Sequence, residues 1–346
     1  MTDPAIPSDG RPRSGSITTT PAAPGSAPWP SNGGPALSGL ASAFGLGDRS
    51  RRVGRAVADV TSMRLPYPPQ LAAMGDFAEA MHTGDALRAS GCGRHVGCLL
   101  LDPTGCGKTT AARAYVELMS ADAEPGTIPA VYARVPQNGT AIGLYTSILS
   151  RLGDHHVNIS RENKLFEHVV TRLTEAGTRI LFLDEADKSP GTNPAAGRIA
   201  GSTVSVARLL MDEGVVPVVL LGTELGTGSI ADDKELAGRL LAPTSLSPLV
   251  WHDDYDRGIW IDLLAELDRR LTQGVCDRPY GLGDEEVAET LMTAANGTIG
   301  QLMGIVRSAV REMARADRSH LLKEDLVYAI DSWSVGYGYI MENPLR

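Results

Sequence analysis

Val96-Gly-Cys-Leu-Leu-Leu101-Asp102-Pro-Thr-Gly105-Cys-Gly107-Lys108-Thr-Thr110 decides the fold. Val96–Leu101 is a short continuous apolar run, not an alternating one. Such a run predicts a strand covered on both faces, as in a parallel sheet. The Gly-rich stretch after it fits G-x-x-x-x-G-K-[ST] at every fixed position except the first, where Asp102 stands. Glycines let backbone N–H groups turn inward around phosphate oxygens. The helix predicted from Lys108 to about Ser120 aims its positive dipole end at the same oxygens. Thr104, Gly105, Cys106, Gly107, Lys108, Thr109 and Thr110 are therefore the candidate phosphate-binding residues of an ATP site. The Lys108 ammonium would bridge the β and γ phosphates, and the Thr109 hydroxyl would ligate Mg²⁺. Asp at position 102 tolerates positive φ better than most residues, so the turn can survive. A carboxylate pointing inward there would weaken phosphate binding.

Further strands are predicted at Ile128–Val135, Arg179–Asp184 and Val215–Leu221, with helices at about 108–120, 140–152, 162–176 and 198–213. Alternating strands and helices imply right-handed crossovers and a doubly wound α/β domain over 96–250. After about Val250 the strands stop. Helices at 254–272, 284–295, 298–316 and 322–333 predict a small C-terminal helical lid over 251–335, with 336–346 as a tail. Residues 49–95 read as a helical lead-in. Residues 1–48, rich in Pro, Gly, Ser, Thr and Ala, read as a disordered arm, either a passive tail or a tether for a partner.

Ile180-Leu-Phe-Leu-Asp184-Glu185 places two acids at a strand tip, and ligands of parallel sheets sit at the carboxyl ends of strands. Asp184 is the candidate Mg²⁺ residue beside Thr109. Glu185 is the candidate general base for the attacking water. Thr223, at the end of the fourth strand, lies where it can orient that water or sense the γ-phosphate. Arg239, read on a helix in Asp233-Lys-Glu-Leu-Ala-Gly-Arg239, is placed to reach a neighbouring subunit's nucleotide.

The chain has 346 residues, with 32 basic against 41 acidic side chains and a net charge of −9. That excludes a protein basic over its whole surface, though not a local basic groove. Four cysteines at irregular spacing give neither a disulfide framework nor a zinc pattern. The longest apolar runs are far too short to span a bilayer. No secretory signal opens the chain, so a cytoplasmic location and no membrane partner are expected. Candidate DNA contacts are the loop from Arg134 to Thr140 and the stripe Arg307, Arg311, Arg315 and Arg318. The stripe reads better as a solvated polar face opposite Leu302, Ile305, Ala309 and Met313 than as a DNA contact.

The order of phosphate loop, acid pair, sensing Thr, Arg and helical lid resembles the AAA+ ATPases. Over about 65–340 the finer likeness is to the TniB/TnsC group, regulators of DNA transposition. It is carried by Leu100-Leu-Asp-Pro-Thr-Gly-Cys-Gly-Lys-Thr, Val135-Pro-Gln-Asn-Gly-Thr-Ala-Ile-Gly, Leu183-Asp-Glu-Ala-Asp, Val218-Val-Leu-Leu-Gly-Thr-Glu, Asp233–Arg239 and Asn296-Gly-Thr-Ile-Gly300. The terminal Glu-Asn-Pro-Leu is similar to the Asn-Pro-Phe end of TniB proteins. The resemblance implies ATP and Mg²⁺ as cofactors, Thr223 as sensor 1 and Arg239 as arginine finger. It implies a homo-oligomeric ring or filament on double-stranded DNA that presents the target to a transposase, with or without an adaptor, and is released on hydrolysis. Two departures stand out. Many TniB proteins have Gly where Asp102 stands, and Gln301 follows Gly300 where typical AAA+ lids place Arg. Arg307 lies two turns on, so sensing of nucleotide from the lid is not expected. The competing readings are an ATP-switched scaffold that never touches DNA and a helicase-loader or IstB-like helper.

Overall fold

A computed structural model describes residues 46–137, 139–155, 161–187, 196–224, 233–242 and 245–346. The chain divides into two units, Met1–Asp48 and Arg49–Arg346. Every described strand, and every described helix but the start of the first, belongs to the second unit. Of the arm expected over 1–48, residues 1–45 lie outside the described set; Leu46, Gly47 and Asp48 are already helical.

Four strands form one sheet: β1 (Cys98–Leu101), β2 (Ala130–Arg134), β3 (Ile180–Asp184) and β4 (Val218–Gly222). Their order is β1-β4-β3-β2, and every pairing is parallel. The helices are α1 (Leu46–Ser62), α2 (Pro68–Ala89), α3 (Lys108–Ala121), α4 (Ala141–Arg151), α5 (Glu162–Glu175), α6 (Ala196–Asp212) and α7 (Lys234–Ala237). After the sheet come α8 (Asp254–Gly274), α9 (Glu285–Ala294), α10 (Ile299–Arg315) and α11 (Lys323–Ala329), the last running into a π-helical turn, Ile330–Val335.

The apolar strands are buried on both faces. Leu99, Val131, Leu181, Leu183 and Leu220 pack against α4, α5 and α6. Cys98, Leu100, Phe182, Val219 and Leu221 face α2 and α3. There Phe77, Tyr115 and Phe182 form a ring cluster, with centroids 5.0–5.9 Å apart. A third core fills the helical region, around Trp260, Leu264, Leu291, Ile305 and Val310. The lead-in is divided between these cores: Val60 of α1 joins the helical one, and Phe77 of α2 joins the sheet. The tail also docks, since Leu345 packs on the helical core and the Asn343 amide donates to Val327 O and Asp331 Oδ1 at 3.0 and 2.8 Å.

Two backbone contacts fix the ends of the sheet. The lid meets the phosphate loop directly: Gly300 N–H donates to Gly105 O at 2.8 Å, and a Cβ at Gly300 would lie 2.7 Å from Gly105 Cα. At the opposite end of the sheet, Gly97 exchanges hydrogen bonds with Arg239 O (2.9 Å) and Leu241 N (2.8 Å), which pins that segment beside the start of β1.

Candidate functional site

The loop after β1 turns through two left-handed glycines, Gly105 (φ 93°) and Gly107 (φ 97°). Gly107 caps α3. Asp102 is not among the positive-φ residues, so the turn does not depend on its tolerance of that conformation. Its buried carboxylate also faces away from the loop interior. It accepts from Ser245 Oγ at 2.8 Å and from Leu246 N at 3.0 Å, tying the loop to the segment after α7. Lys108 is buried, and its ammonium donates to Asp102 O and Pro103 O at 2.5 and 2.8 Å. Burial lowers its pKa, partly offset by the negative groups around it. From the other side Gln70 of α2 donates to Gly107 O at 2.9 Å. The loop is thus held between α2 and the lid.

The two acids stand where β3 ends. Asp184 Oδ2 accepts from Thr109 Oγ1 at 2.7 Å and from the Tyr132 hydroxyl, and Oδ1 accepts from Glu185 N at 2.9 Å. Burial, with the Asp184 carboxylate beside it, raises the Tyr132 pKa. Glu185 sits in the left-handed region at φ 61°, an uncommon place for a non-glycine residue and one associated with functional sites. Arg134, a candidate DNA contact, is an ion-pair partner of Glu185, with Nε 3.3 Å from Oε2.

Thr223 directly follows β4, and β4 lies between β1 and β3 as its expected role requires. Its N–H and hydroxyl both donate to Asp187 Oδ2, the amide at 2.9 Å. Asp187 closes Leu183-Asp-Glu-Ala-Asp187, a segment in which the strand-tip pattern singles out only the first two acids. Gly222 is needed beside it, because a Cβ there would lie 2.9 Å from Asp187 Oδ1.

These groups share one cavity of about 690 Å³, a volume suited to a cofactor-sized ligand. Gly105, Lys108, Thr109, Asp184, Glu185 and Thr223 line it, with Thr104, Gly107 and Thr110. Its far wall is apolar and comes from the lead-in: Met63, Leu65, Tyr67, Leu71 and Met74. Periodicity alone gives no sign that these residues, or Gln70 and Arg64, belong to the site. Cys106 is buried among the sheet core, not in the cavity, and burial pushes its thiol up to about 11.

Arg307 also lines the cavity, with its guanidinium 5.9 Å from the Trp333 ring centroid. Arg307 stands on α10 two turns beyond Gly300. The arginine stripe is corrected. α10 ends at Arg315, and Arg318 lies in the turn beyond, forked onto Asp325 at 2.6 Å twice. Arg315 faces Glu312 at 3.7 Å. Leu302, Ile305, Ala309 and Met313 are buried as expected. Thr140 caps α4, its hydroxyl accepting from Gly143 N at 3.1 Å; Asn138 lies outside the described residues.

Arg239 is not on a helix. α7 ends at Ala237, and Arg239 stands in the turn after it. The guanidinium forks onto Asp212, Nε to Oδ1 at 2.5 Å and Nη2 to Oδ2 at 2.9 Å. That contact holds the Asp212 carboxyl below its usual range. Arg239 is absent from the cavity lining and sits at the sheet end remote from it.

Thr109 and Asp184 offer hard oxygen donors 2.7 Å apart, which fits Mg²⁺. Among the described residues no group of three or more His, Cys, Asp and Glu side chains could hold a metal by itself. No described helix is long and apolar enough to cross a membrane.

Residues 78–248 match the family model described as Bacterial TniB protein. No curated protein matches the sequence. Among solved structures, the chain is similar to Cdc6p from Pyrobaculum aerophilum, at 16% identity and TM-score 0.57, over 80% of this chain and 70% of that one. It is similar to the Aeropyrum pernix ORC2 protein, solved as ADPNP–ADP complexes, at 16% identity and TM-score 0.56, over 75% and 68%. It is similar to the Aeropyrum pernix ORC1 protein in complex with DNA, at 18% identity and TM-score 0.54, over 79% and 66%. At such identities the likeness is one of fold, the α/β fold of the Cdc6/ORC AAA+ ATPases.

Proposed function

With residues 78–248 matching the TniB family on an AAA+ fold, we propose that this protein is an ATP-dependent, DNA-binding regulator of transposition. In this reading it binds ATP and Mg²⁺, assembles as a homo-oligomer on double-stranded target DNA, and recruits a transposase, directly or through an adaptor. Hydrolysis of ATP releases it. The observation that carries the proposal is the single cavity in which the phosphate loop, the Thr109–Asp184 pair, Glu185 and Thr223 converge. Two of the fold relatives were solved with ADPNP and ADP and with DNA; nucleotide and DNA binding are extended to this chain on the family match.

The division of labour follows the chain. In this reading residues 96–250 are the ATPase domain, 251–335 the lid and 336–346 its tail, while 49–95 would offer an apolar wall to the nucleobase. Phosphates take the place of the loop carbonyls on Lys108, and the Gly105 and Gly107 turn directs N–H groups toward them. Thr109 and Asp184 would hold Mg²⁺, which would supply positive charge to neutralise the phosphates. Glu185 takes the proton of the attacking water, and Thr223, fixed by Asp187, orients that water. Arg239, forked onto Asp212 at the sheet end remote from its own cavity, would act as a finger only on a neighbour's nucleotide and only after leaving Asp212. An interface that shares ATP persists only while the γ-phosphate is present. Such a protein works in the cytoplasm, where its DNA is.

Sedimentation with a long DNA duplex tests this. DNA-bound assemblies should form with ATP, persist in Glu185→Gln, and fall apart in ADP. ATP binding without DNA binding at low salt would overturn the DNA reading and leave an ATP-switched scaffold.

A further inference from the structure

Asp184 is held from a second strand. Tyr132 lies on β2, two residues before its end, and its hydroxyl donates to Asp184 Oδ2. That same oxygen accepts from Thr109 Oγ1 at 2.7 Å, and Oδ1 accepts from the Glu185 amide at 2.9 Å. Donors from α3, β2 and the turn after β3 therefore fix the carboxylate in one orientation. The tyrosine ring is fixed in turn. The Arg113 guanidinium lies 5.0 Å from its centroid, and Arg113 follows Thr109 by one turn of α3. Tyr132 pairs in register with Phe182, a core residue, so the backbone that carries the phenol cannot shift easily.

We propose that Tyr132 is a positioning residue for the divalent cation: it orients the Asp184 carboxylate toward the metal, and Arg113 holds its ring for that task. The inference rests on reading Thr109 and Asp184 as the magnesium residues. Mg²⁺ demands near-ideal octahedral geometry, so a carboxylate free to rotate binds it less well. Partners that hydrogen-bond a metal-ligating carboxylate typically change metal affinity about 10–100-fold when removed. A Thr109 hydroxyl that gives its proton to Asp184 keeps its lone pairs for a cation, so neither hydrogen bond to Oδ2 competes with the metal at Thr109.

Tyr132→Phe keeps the ring and its stacking on Arg113 and removes only the hydroxyl. The full chain with ADP bound is titrated with Mn²⁺, followed by electron paramagnetic resonance, and ADP affinity is measured separately in EDTA. The expected result is a Mn²⁺ Kd about tenfold higher in Tyr132→Phe, with ADP affinity in EDTA unchanged. Arg113→Ala should shift the Mn²⁺ Kd in the same direction and by less. An unchanged Mn²⁺ Kd overturns the proposal, and so does an equal loss of ADP affinity in EDTA, which marks a merely structural role. If the unaltered chain binds ADP but no Mn²⁺, the premise about Thr109 and Asp184 fails, and the proposal with it. That outcome is distinct from a normal titration that Tyr132→Phe leaves untouched.

Discussion

Arg134 and Glu185 stand at the carboxyl ends of adjacent parallel strands, and Arg134 Nε lies 3.3 Å from Glu185 Oε2. Because Arg134 pairs in register with Asp184, the next residue falls beside it. The residue read from sequence as a DNA contact is thus the neighbour of the residue read as the catalytic base. A cation this close holds the carboxylate in place.

Arg134→Ala frees the Glu185 carboxylate from its ion pair to turn toward the attacking water, and should raise the basal rate of ATP hydrolysis severalfold, within the factor of about 10²–10⁴ that a positioned base contributes. The slope of DNA affinity against salt should stay as it was. If Arg134 instead neutralises a DNA phosphate, the slope falls by about one unit and basal hydrolysis is unchanged.

Glu185→Gln should abolish multiple turnover, lowering hydrolysis by about 10²–10⁴, while nucleotide affinity is retained. Single-turnover hydrolysis beside equilibrium binding separates the two. A parallel loss of binding would mean that the left-handed turn at Glu185, not its proton affinity, is what the substitution disturbed.

Asp102→Gly restores the first position of the phosphate-loop pattern, yet it should make the protein less stable. It leaves the buried Leu246 N–H without its acceptor, at a cost of about 1–3 kcal/mol. Denaturant unfolding should show the loss, with ATP affinity changed little because the carboxylate faces away from the loop. A marked gain in affinity would show that the charge acts on phosphate after all.

Gly300→Ala places a methyl group 2.7 Å from Gly105 Cα and 2.8 Å from Gly105 O, against backbone and not a flexible side chain. The lid must lift from the phosphate loop. Nucleotide affinity should fall at least tenfold while the protein stays folded, as equilibrium binding and circular dichroism would report. Unchanged affinity would mean that the seating of the lid does not govern the site.

His95 gives the pH dependence. It is 3% exposed, and neither ring nitrogen has a hydrogen-bond partner among the described residues. Burial, with Arg88 adding to it, lowers its pKa below the ordinary 6.5. The unfolded chain therefore takes up a proton at about pH 6.5 while the folded one does not. Stability should be full above that pH and decline as pH falls toward the folded pKa. The decline between pH 7 and 5.5 should be smaller in His95→Leu, and equal slopes in the two proteins would refute the assignment.

Much of the fold was legible in the sequence because burial on two faces leaves a local record. Val218–Leu221 and Ile180–Leu183 are apolar at successive positions, and the left-handed turns of the phosphate loop need glycine where glycine stands. Thr109, Asp184, Glu185 and Thr223 could be named because strand tips in a parallel sheet face one crevice. Arg239 and Asp102 could be named but not understood. A helical pattern over seven residues cannot show that the helix stops at Ala237, nor that the carboxylate turns toward Leu246.

By itself the sequence determined the parallel sheet, the phosphate loop and the acid pair, since each depends on residues close together in the chain. Only the tertiary structure decided what each polar group faces. Arg134 meets Glu185, Tyr132 meets Asp184, Asp187 meets Thr223, and Arg307 reaches the cavity from the lid. Those pairings arise between strands and helices far apart in sequence. Hydrogen bonds and ion pairs are short and directional, so they are set by how the elements pack, and no local pattern in the chain records that.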